Sequence, residues 1–169
     1  VVIGDGGDFV SFAGKFVEPN VPDSGSIRDR TDASVPVSAR RSPHASRARR
    51  ARSCCCSVTG AAGLSLMDID TLVRHQLPVV IVVGNNSAWG GLEKGPMQLL
   101  YGYDVAADLT PGTRYDEVAT ALGAGGELVR DPRQIGPALD RGGFAAGVPY
   151  LINVLTDVAA AYPRSTTGI

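Results

Sequence analysis

The sequence predicts an α/β fold, a mostly parallel sheet flanked by helices, on two observations. Strand-like and helix-like stretches alternate along the chain, the pattern of repeated βα units. The run Pro78-Val-Val-Ile-Val-Val-Gly84 is apolar almost throughout, as a parallel strand covered on both faces has to be. With 169 residues and 44% hydrophobic content, the chain is long enough for a single domain, 1–169, with a real core.

In chain order, Val1–Gly4 predicts the end of a buried strand, Asp5–Asp8 a loop and Phe9–Phe16 a short helix. No stable period of either kind runs from Pro19 to Gly60. Leu64, Met67, Thr71, Leu72 and His75 share one helical stripe, which predicts a helix over Ser65–His75. The strand Pro78–Gly84 ends in the turn signal Asn85-Asn86-Ser87. Trp89–Gly112 is loop-rich, with a short helix near Pro96–Tyr101. Tyr115–Leu122 predicts a helix and Glu127–Arg130 a short strand. Pro132–Ala146 predicts a helix with proline near its start, and Pro149–Leu155 the last strand before an irregular tail.

Net charge is −1, but the average conceals a split. Eight of the sixteen Lys and Arg residues lie between Arg28 and Arg52, against Asp29 and Asp32 only, so that window is strongly basic and the remainder acidic. The three cysteines are consecutive, Cys54, Cys55 and Cys56. Neither a disulfide framework nor a tetrahedral metal site uses that spacing. No apolar run reaches the length of a membrane span, and no signal-peptide pattern is present. The opening at Val1, in strand-like sequence without methionine, reads as part of a longer protein, and a cytoplasmic location is expected.

Parallel sheets bind ligands beyond the carboxyl ends of their strands. That singles out the loops after Ile3, Val83 and Leu155. Gly4-Asp-Gly-Gly-Asp8 follows the first strand, and Gly84-Asn-Asn-Ser-Ala-Trp-Gly90 the longest. Glycine backbone comes close to a phosphate, and asparagine offers a neutral oxygen to a hard cation. Taken singly, each loop reads more simply as a tight turn than as a site.

The second loop does not stand alone. The segment Ala61–Asn86, AAGLSLMDIDTLVRHQLPVVIVVGNN, resembles the cofactor motif of thiamine diphosphate (ThDP) enzymes. In that family the motif begins with Gly-Asp-Gly, runs through a helix and a strand, and ends in Asn-Asn. The Asp, the second Asn and a backbone carbonyl two residues further on hold a Mg²⁺ that grips the diphosphate. The resemblance places Asn86 and the Ala88 carbonyl at two of these ligands. At the family's spacing the Asp falls on Thr59, whose hydroxyl is a much poorer Mg²⁺ ligand than a carboxylate.

The resemblance extends over Val1–Lys15, Leu72–His75, Gly84–Gly90, Leu92–Lys94, Tyr101–Tyr103 and Ala161–Arg164. Together these resemble the carboxyl-terminal, diphosphate-binding domain of acetolactate synthase large subunits, more narrowly an actinobacterial branch. It implies that Gly4, Asp5, Gly6, Gly7 and Asp8 line the phosphate end of the cofactor, with Gly60, Ala61 and Ala62 after the motif and Trp89 and Gly90 beyond the metal ligands. It implies a cytoplasmic homo-oligomer in branched-chain amino acid biosynthesis that decarboxylates pyruvate and condenses it with a second 2-oxo acid, chemistry the cofactor supplies. The family's activating glutamate and its FAD-binding middle domain lie outside this stretch. No catalytic residue is therefore expected within it, and FAD only in a full-length enzyme. The 2-hydroxyacyl-CoA lyases and oxalyl-CoA decarboxylases share the motif and remain an alternative. Gly90-Gly91 and Gly142-Gly143 each look one residue long, and Gly95 stands where the family has His.

The tract ahead of the motif, SARRSPHASRARRARSCCCSVTG, has a reading at the level of codons. Cysteine is TGT or TGC, so a codon made of the last base of one and the first two of the next is TTG or CTG, always leucine. The Cys56–Ser57 junction gives Phe or Leu if serine is TCN, and with G in the third positions of Ser57, Val58 and Thr59 the displaced frame goes on as Gly-Asp-Gly, so that a strand-like Leu-Leu-Phe precedes the absent motif. Residues from about Ser24 to Gly60 are accordingly expected to be translated out of frame, leaving a disrupted or disordered segment between the first strand and the Ser65–His75 helix. The rival reading is an Arg-rich segment, or a non-catalytic remnant carrying one, that binds nucleic acid. It is disfavoured because no aromatic platform for bases accompanies the arginines.

Other polar residues have plain roles. His75 reads as a helix-end or surface residue, Asp68 and Asp70 as a solvated helix face, and Asp157 as a turn residue. His44 lies in the anomalous tract with no role, and Trp89 is divided evenly between core packing and cofactor contact.

Overall fold

Among the described residues, six parallel strands form one sheet. They are β1 (Val2–Asp5), β2 (Gly25–Arg28), β3 (Ser53–Val58), β4 (Val79–Asn85), β5 (Gly125–Val129) and β6 (Tyr150–Leu155), in the order β2-β1-β3-β4-β6-β5. The computed structural model describes residues 2–5, 7–18, 25–28, 53–89, 94–142 and 147–160. The helices are α1 (Gly7–Phe16), α2 (Thr59–Ser65), α3 (Ile69–Arg74), α4 (Gly95–Tyr101), α5 (Tyr115–Ala121) and α6 (Ile135–Asp140). No helix among the described residues is long and apolar enough to cross a membrane.

Side chains of a strand alternate between faces, so residue parity assigns the two cores. Cys55, Ile81, Val83 and Leu151 meet Ala62, Ile69, Leu72, Tyr115 and Ala119 of α2, α3 and α5 on one face. Val80, Val129, Ile152 and Val154 meet Ala138 of α6 on the other. That second face also carries α1. A side chain on Gly84 would come within 2.5 Å of the Phe9 ring, so the strand needs glycine where the helix crosses it. Burial on both faces is why β4 and β6 read as nearly unbroken apolar runs.

Strand order also locates the site. The chain moves outward from β1 to β2, then returns across β1 to β3 and continues the other way. Ligand crevices of such sheets open where the winding reverses, here at the carboxyl ends of β1 and β3.

Most expected elements are present with small shifts of their ends. The expected Ser65–His75 helix is divided: α2 starts earlier, at Thr59, and a 3-10 turn at Leu66–Asp68 separates it from α3. The helix expected over Pro132–Ala146 is a 3-10 turn at Pro132–Gln134 followed by α6, Ile135–Asp140, and its expected end at 143–146 lies outside the described residues.

The larger correction concerns the tract from Pro19 to Gly60. Its ends form β2 and β3, and β3 is a central strand paired with both β1 and β4. Within the segment expected to be disrupted, Ser53–Val58 is an ordered strand, because free cysteine behaves as a small hydrophobe. Cys55 and Cys56 are buried, with Cys55 inside the first core. Hydrogen bonding with Cys56 and burial push the Cys54 thiol well above its ordinary range, so it stays protonated and packs. Residues 29–52 lie outside the described residues.

Candidate functional site

The carboxyl ends of β3 and β4 bring Thr59, Asn86, Ala88 and Trp89 together, although 27 residues separate the first two. Thr59 opens α2 directly after β3 and is 1% exposed. Its single hydroxyl proton faces two acceptors, the Gly84 carbonyl at 3.2 Å and Asn86 Oδ1 at 3.3 Å. The Asn86 N–H donates to the same Thr59 oxygen at 3.2 Å. Asn86 Oδ1 also accepts from the Ala88 N–H at 3.2 Å, a short-range turn bond typical of asparagine.

Ala88 pairs with Asp108 in an antiparallel bridge. Its two hydrogen bonds are those of the flanking residues, Trp89 N–H to the Ala107 carbonyl and Leu109 N–H to the Ser87 carbonyl, both 2.8 Å. Ala88 is thus the non-hydrogen-bonded member, and its own N–H and C=O face away from that bridge. The N–H meets Asn86 Oδ1, so the Ala88 carbonyl stands on the Asn86 side of the loop.

Trp89 is half-buried, and its six-membered ring lies on Gly60. A Cβ at Gly60 would sit 2.5 Å from the indole. The open question of core against cofactor contact is answered in part: the indole packs against α2 while also lining a cavity with Val105, Ala106 and Ala107. Ala61 and Ala62 are buried in the first turns of α2, and Ala62 belongs to the first core.

The first loop lies next door, since β1 and β3 pair Asp5 with Ser57. Gly4 is buried in β1. Gly7 starts α1 at φ 64°, a left-handed conformation that favours glycine, and Asp8 lies in the first helical turn. Gly6 and Gly90 lie outside the described residues, as does His44.

A second cluster, which the sequence reading missed, sits beneath the Asn-Asn turn. Asn85 is 1% exposed. Its Nδ2 donates to the Thr113 carbonyl and to Asn153 Oδ1, each at 3.1 Å, and its Oδ1 accepts from Ser87 N–H at 3.1 Å and Ser87 Oγ at 3.3 Å. Asn153, with no measurable exposure, donates to the Thr113 carbonyl at 2.9 Å and to Asp116 Oδ1 at 3.1 Å. Arg114 grips Asp116 through Nε at 3.0 Å and Nη2 at 2.6 Å. Burial pushes the Asp116 carboxyl up, but the bonds from Arg114 and Asn153 outweigh it and hold the group below the ordinary aspartate range. The visible signal was an asparagine inside the apolar run Tyr150–Leu155.

Other residues take the plain roles expected. His75 is an exposed helix-end residue, Asp70 pairs with Arg74 on a solvated face at 2.7 Å, and Asp157 Oδ1 caps its own turn by accepting from Ala159 N–H. Gly142 is fixed by packing, because a Cβ there would come within 2.6 Å of the Tyr150 ring.

Residues 40–154 match the family of the thiamine pyrophosphate enzyme C-terminal TPP binding domain. The chain belongs to that family. It is 48% identical, over 97% of its length, to the acetolactate synthase large subunit IlvG of Mycobacterium tuberculosis, of which it spans 30%. A 2-hydroxyacyl-CoA lyase of Oryza sativa is 36% identical over 56% of this chain and 17% of its own. The fold matches the crystal structure of benzoylformate decarboxylase from Polynucleobacter necessarius with a TM-score of 0.78, 21% identity, and coverage of 97% of this chain and 31% of the other. The chain thus spans about a third of the acetolactate synthase and of the benzoylformate decarboxylase, and the match to the lyase covers 17% of that protein.

Thiamine diphosphate is the cofactor of the domain, and the site can be tested for the cation that would bridge protein to diphosphate. Mg²⁺ favours carboxylate and other hard oxygen ligands. Thr59, Asn86 and Ala88 offer a hydroxyl, an amide oxygen and a carbonyl, all uncharged, and the hydroxyl is already shared between Gly84 and Asn86. Among the described residues no group of three His, Cys, Asp or Glu is placed to hold a metal. These residues do not fit Mg²⁺ as a carboxylate at position 59 would.

Proposed function

We propose that this chain is the diphosphate-binding part of an acetolactate synthase-type carboligase, acting in the full-length enzyme on pyruvate and a second 2-oxo acid. The observation that carries the reading is the meeting of Thr59, Asn86 and the Ala88 N–H at the carboxyl ends of β3 and β4, in a chain 48% identical to an acetolactate synthase large subunit. The weaker match to 2-hydroxyacyl-CoA lyases ranks that substrate class second. In this reading Gly4–Asp8 and Gly60–Ala62 border the diphosphate, and Trp89 and Gly90 continue the same wall. The full-length enzyme is a cytoplasmic homo-oligomer of branched-chain amino acid biosynthesis, and FAD, where used, belongs to its other domains. Mg²⁺ belongs to the functional enzyme, with Asn86 and Ala88 as ligands and an aspartate in place of Thr59. The segment from about 24 to 60 is then an out-of-frame stretch whose correct frame supplies that aspartate.

Calorimetric titration of the purified chain and of Thr59→Asp with ThDP, with Mg²⁺ and then with EDTA, tests this. Binding that is weak in the chain and at least tenfold tighter with Mg²⁺ in Thr59→Asp is the expected result. No binding by either protein would sink the cofactor reading. Sequencing the coding DNA from codon 18 to codon 64 checks the frame independently; Arg and Cys codons as given would remove that part of the proposal.

A further inference from the structure

Asn85, Asn153 and Asp116 lie at the carboxyl edge of the sheet, yet none of them faces the Thr59–Asn86 cluster. Adjacent residues of a strand point to opposite faces, so Asn85 turns toward α5 while Asn86 turns toward Thr59. What Asn85 does hold is the loop itself. Its Oδ1 takes both the N–H and the hydroxyl of Ser87, a residue at φ 56°. A non-glycine residue in that left-handed region keeps it only when its surroundings impose it.

The surroundings are a clasp. The segment 107–113 closes on the 87–89 turn through Trp89 N–H to the Ala107 carbonyl, Leu109 N–H to the Ser87 carbonyl, and Gly112 N–H to Ser87 Oγ at 3.2 Å. The far end of the same segment is fixed by Asn85 and Asn153, which both donate to the Thr113 carbonyl. Asn153 is in turn oriented by the Asp116 carboxylate. Both ends of the clasp therefore rest on one buried network.

We propose that Asn85, Asn153 and Asp116 are positioning residues, which fix where Asn86 Oδ1 and the Ala88 carbonyl stand by clasping segment 107–113 onto Ser87. The consequence for ligand affinity rests on the ThDP-binding reading; the clasp itself does not. Trp89 is the only tryptophan, and it lies between the clasp and Gly60, so its fluorescence reports on the loop without any ligand.

The test is acrylamide quenching of Trp89 in the whole chain, compared with Asn153→Leu and with Ile152→Ala. Ile152 is the buried neighbour on the opposite face and controls for general loss of stability. The expected result is a quenching constant raised at least twofold in Asn153→Leu and unchanged in Ile152→Ala, with helix content preserved by circular dichroism. ThDP affinity, where the chain binds it, falls about tenfold in Asn153→Leu only. If Asn153→Leu does not fold, Ser87→Ala removes the hydroxyl that holds Gly112 and is expected to raise quenching likewise. Quenching unchanged in the folded clasp variant, or raised equally in Ile152→Ala, overturns the proposal. A chain that binds no ThDP but shows the selective rise overturns the cofactor reading and leaves the clasp intact.

Discussion

Asn85 and Asn86 are neighbours in the chain, yet their side chains belong to two different clusters at the edge of the sheet. Asn85 joins Asn153, Thr113, Asp116 and Arg114 in a network where every amide hydrogen of Asn85 and Asn153 has an acceptor and the carboxylate has a cationic partner. Asn86 joins Thr59 and Ala88 in a small neutral set, where one hydroxyl proton is shared between two oxygens. The first cluster is complete within the chain. The second gathers oxygens without charge and lacks the carboxylate that a hard cation favours. A single period of strand alternation separates the buried network from the cluster proposed to face the ligand.

The comparison breaks most sharply at Asn153. Replacing it by leucine leaves the Asn85 amide and the Asp116 carboxylate each short of a buried partner. Uncompensated buried polar groups cost about 1–3 kcal/mol apiece, so a loss of about 3 kcal/mol is expected, read as a lower urea midpoint at unchanged slope. A loss below about 1 kcal/mol would mean that the network does not hold the fold together. Asp116 adds a pH signature. Its folded carboxyl sits below the ordinary aspartate range, so its contribution is complete above that range and lost as pH falls through the lowered folded value. Asp116→Asn should flatten the acid limb of a stability-against-pH curve, and an unaltered limb would count against the assignment.

Gly60 comes next. A Cβ there would lie 2.5 Å from the six-membered ring of Trp89, so the indole has to shift to admit a side chain. Gly60→Val should cost about 2 kcal/mol through overpacking and shift Trp89 emission toward the red. An unshifted spectrum would show that the ring has room the packing does not suggest.

These residues also mark how far the sequence could be read. β4 and β6 were legible because two-sided burial demands unbroken apolar runs, and the turn after β4 because Asn-Asn-Ser follows the strand end. β3 was not legible. Cysteine carries no strong strand signature, and the arginines before it suppressed any period, yet three small hydrophobes fill a strand between β1 and β4. The Asn85–Asn153–Asp116 network was hidden for another reason: its members are 37 and 68 residues apart, a separation no local pattern reports.

Thr59 sharpens the comparison from the other side. Thr59→Val removes a hydroxyl whose three contacts are all 3.2–3.3 Å, and about 1 kcal/mol of stability is expected to go with it. Thr59→Asp is expected to lose stability without metal, since a carboxylate there would face the Gly84 carbonyl and Asn86 Oδ1. Added Mg²⁺ should restore it, by about 2.7 kcal/mol at a hundredfold excess over Kd. Thermal melts of both variants, with and without Mg²⁺, separate the two effects. A melt of Thr59→Asp indifferent to Mg²⁺ would remove the metal from the proposed function.

The smallest effect provides the reference for the rest. Asp70 and Arg74 form an ion pair one turn apart on α3, with their side chains 51% and 60% exposed. Such a pair competes with water and salt on every side, so Arg74→Ala should cost only about 0.3 kcal/mol, and less in high salt. Arg114 and Asp116 make a bond of the same chemistry at 2.6 Å, but the Asp116 side chain is 3% exposed. If distance and charge alone set the strength, the two pairs would respond alike to salt. Burial makes the opposite demand: half-molar NaCl should erase the Arg74 effect and leave the Asp116→Asn effect nearly whole, because counter-ions cannot reach a carboxylate walled in by Asn153 and α5.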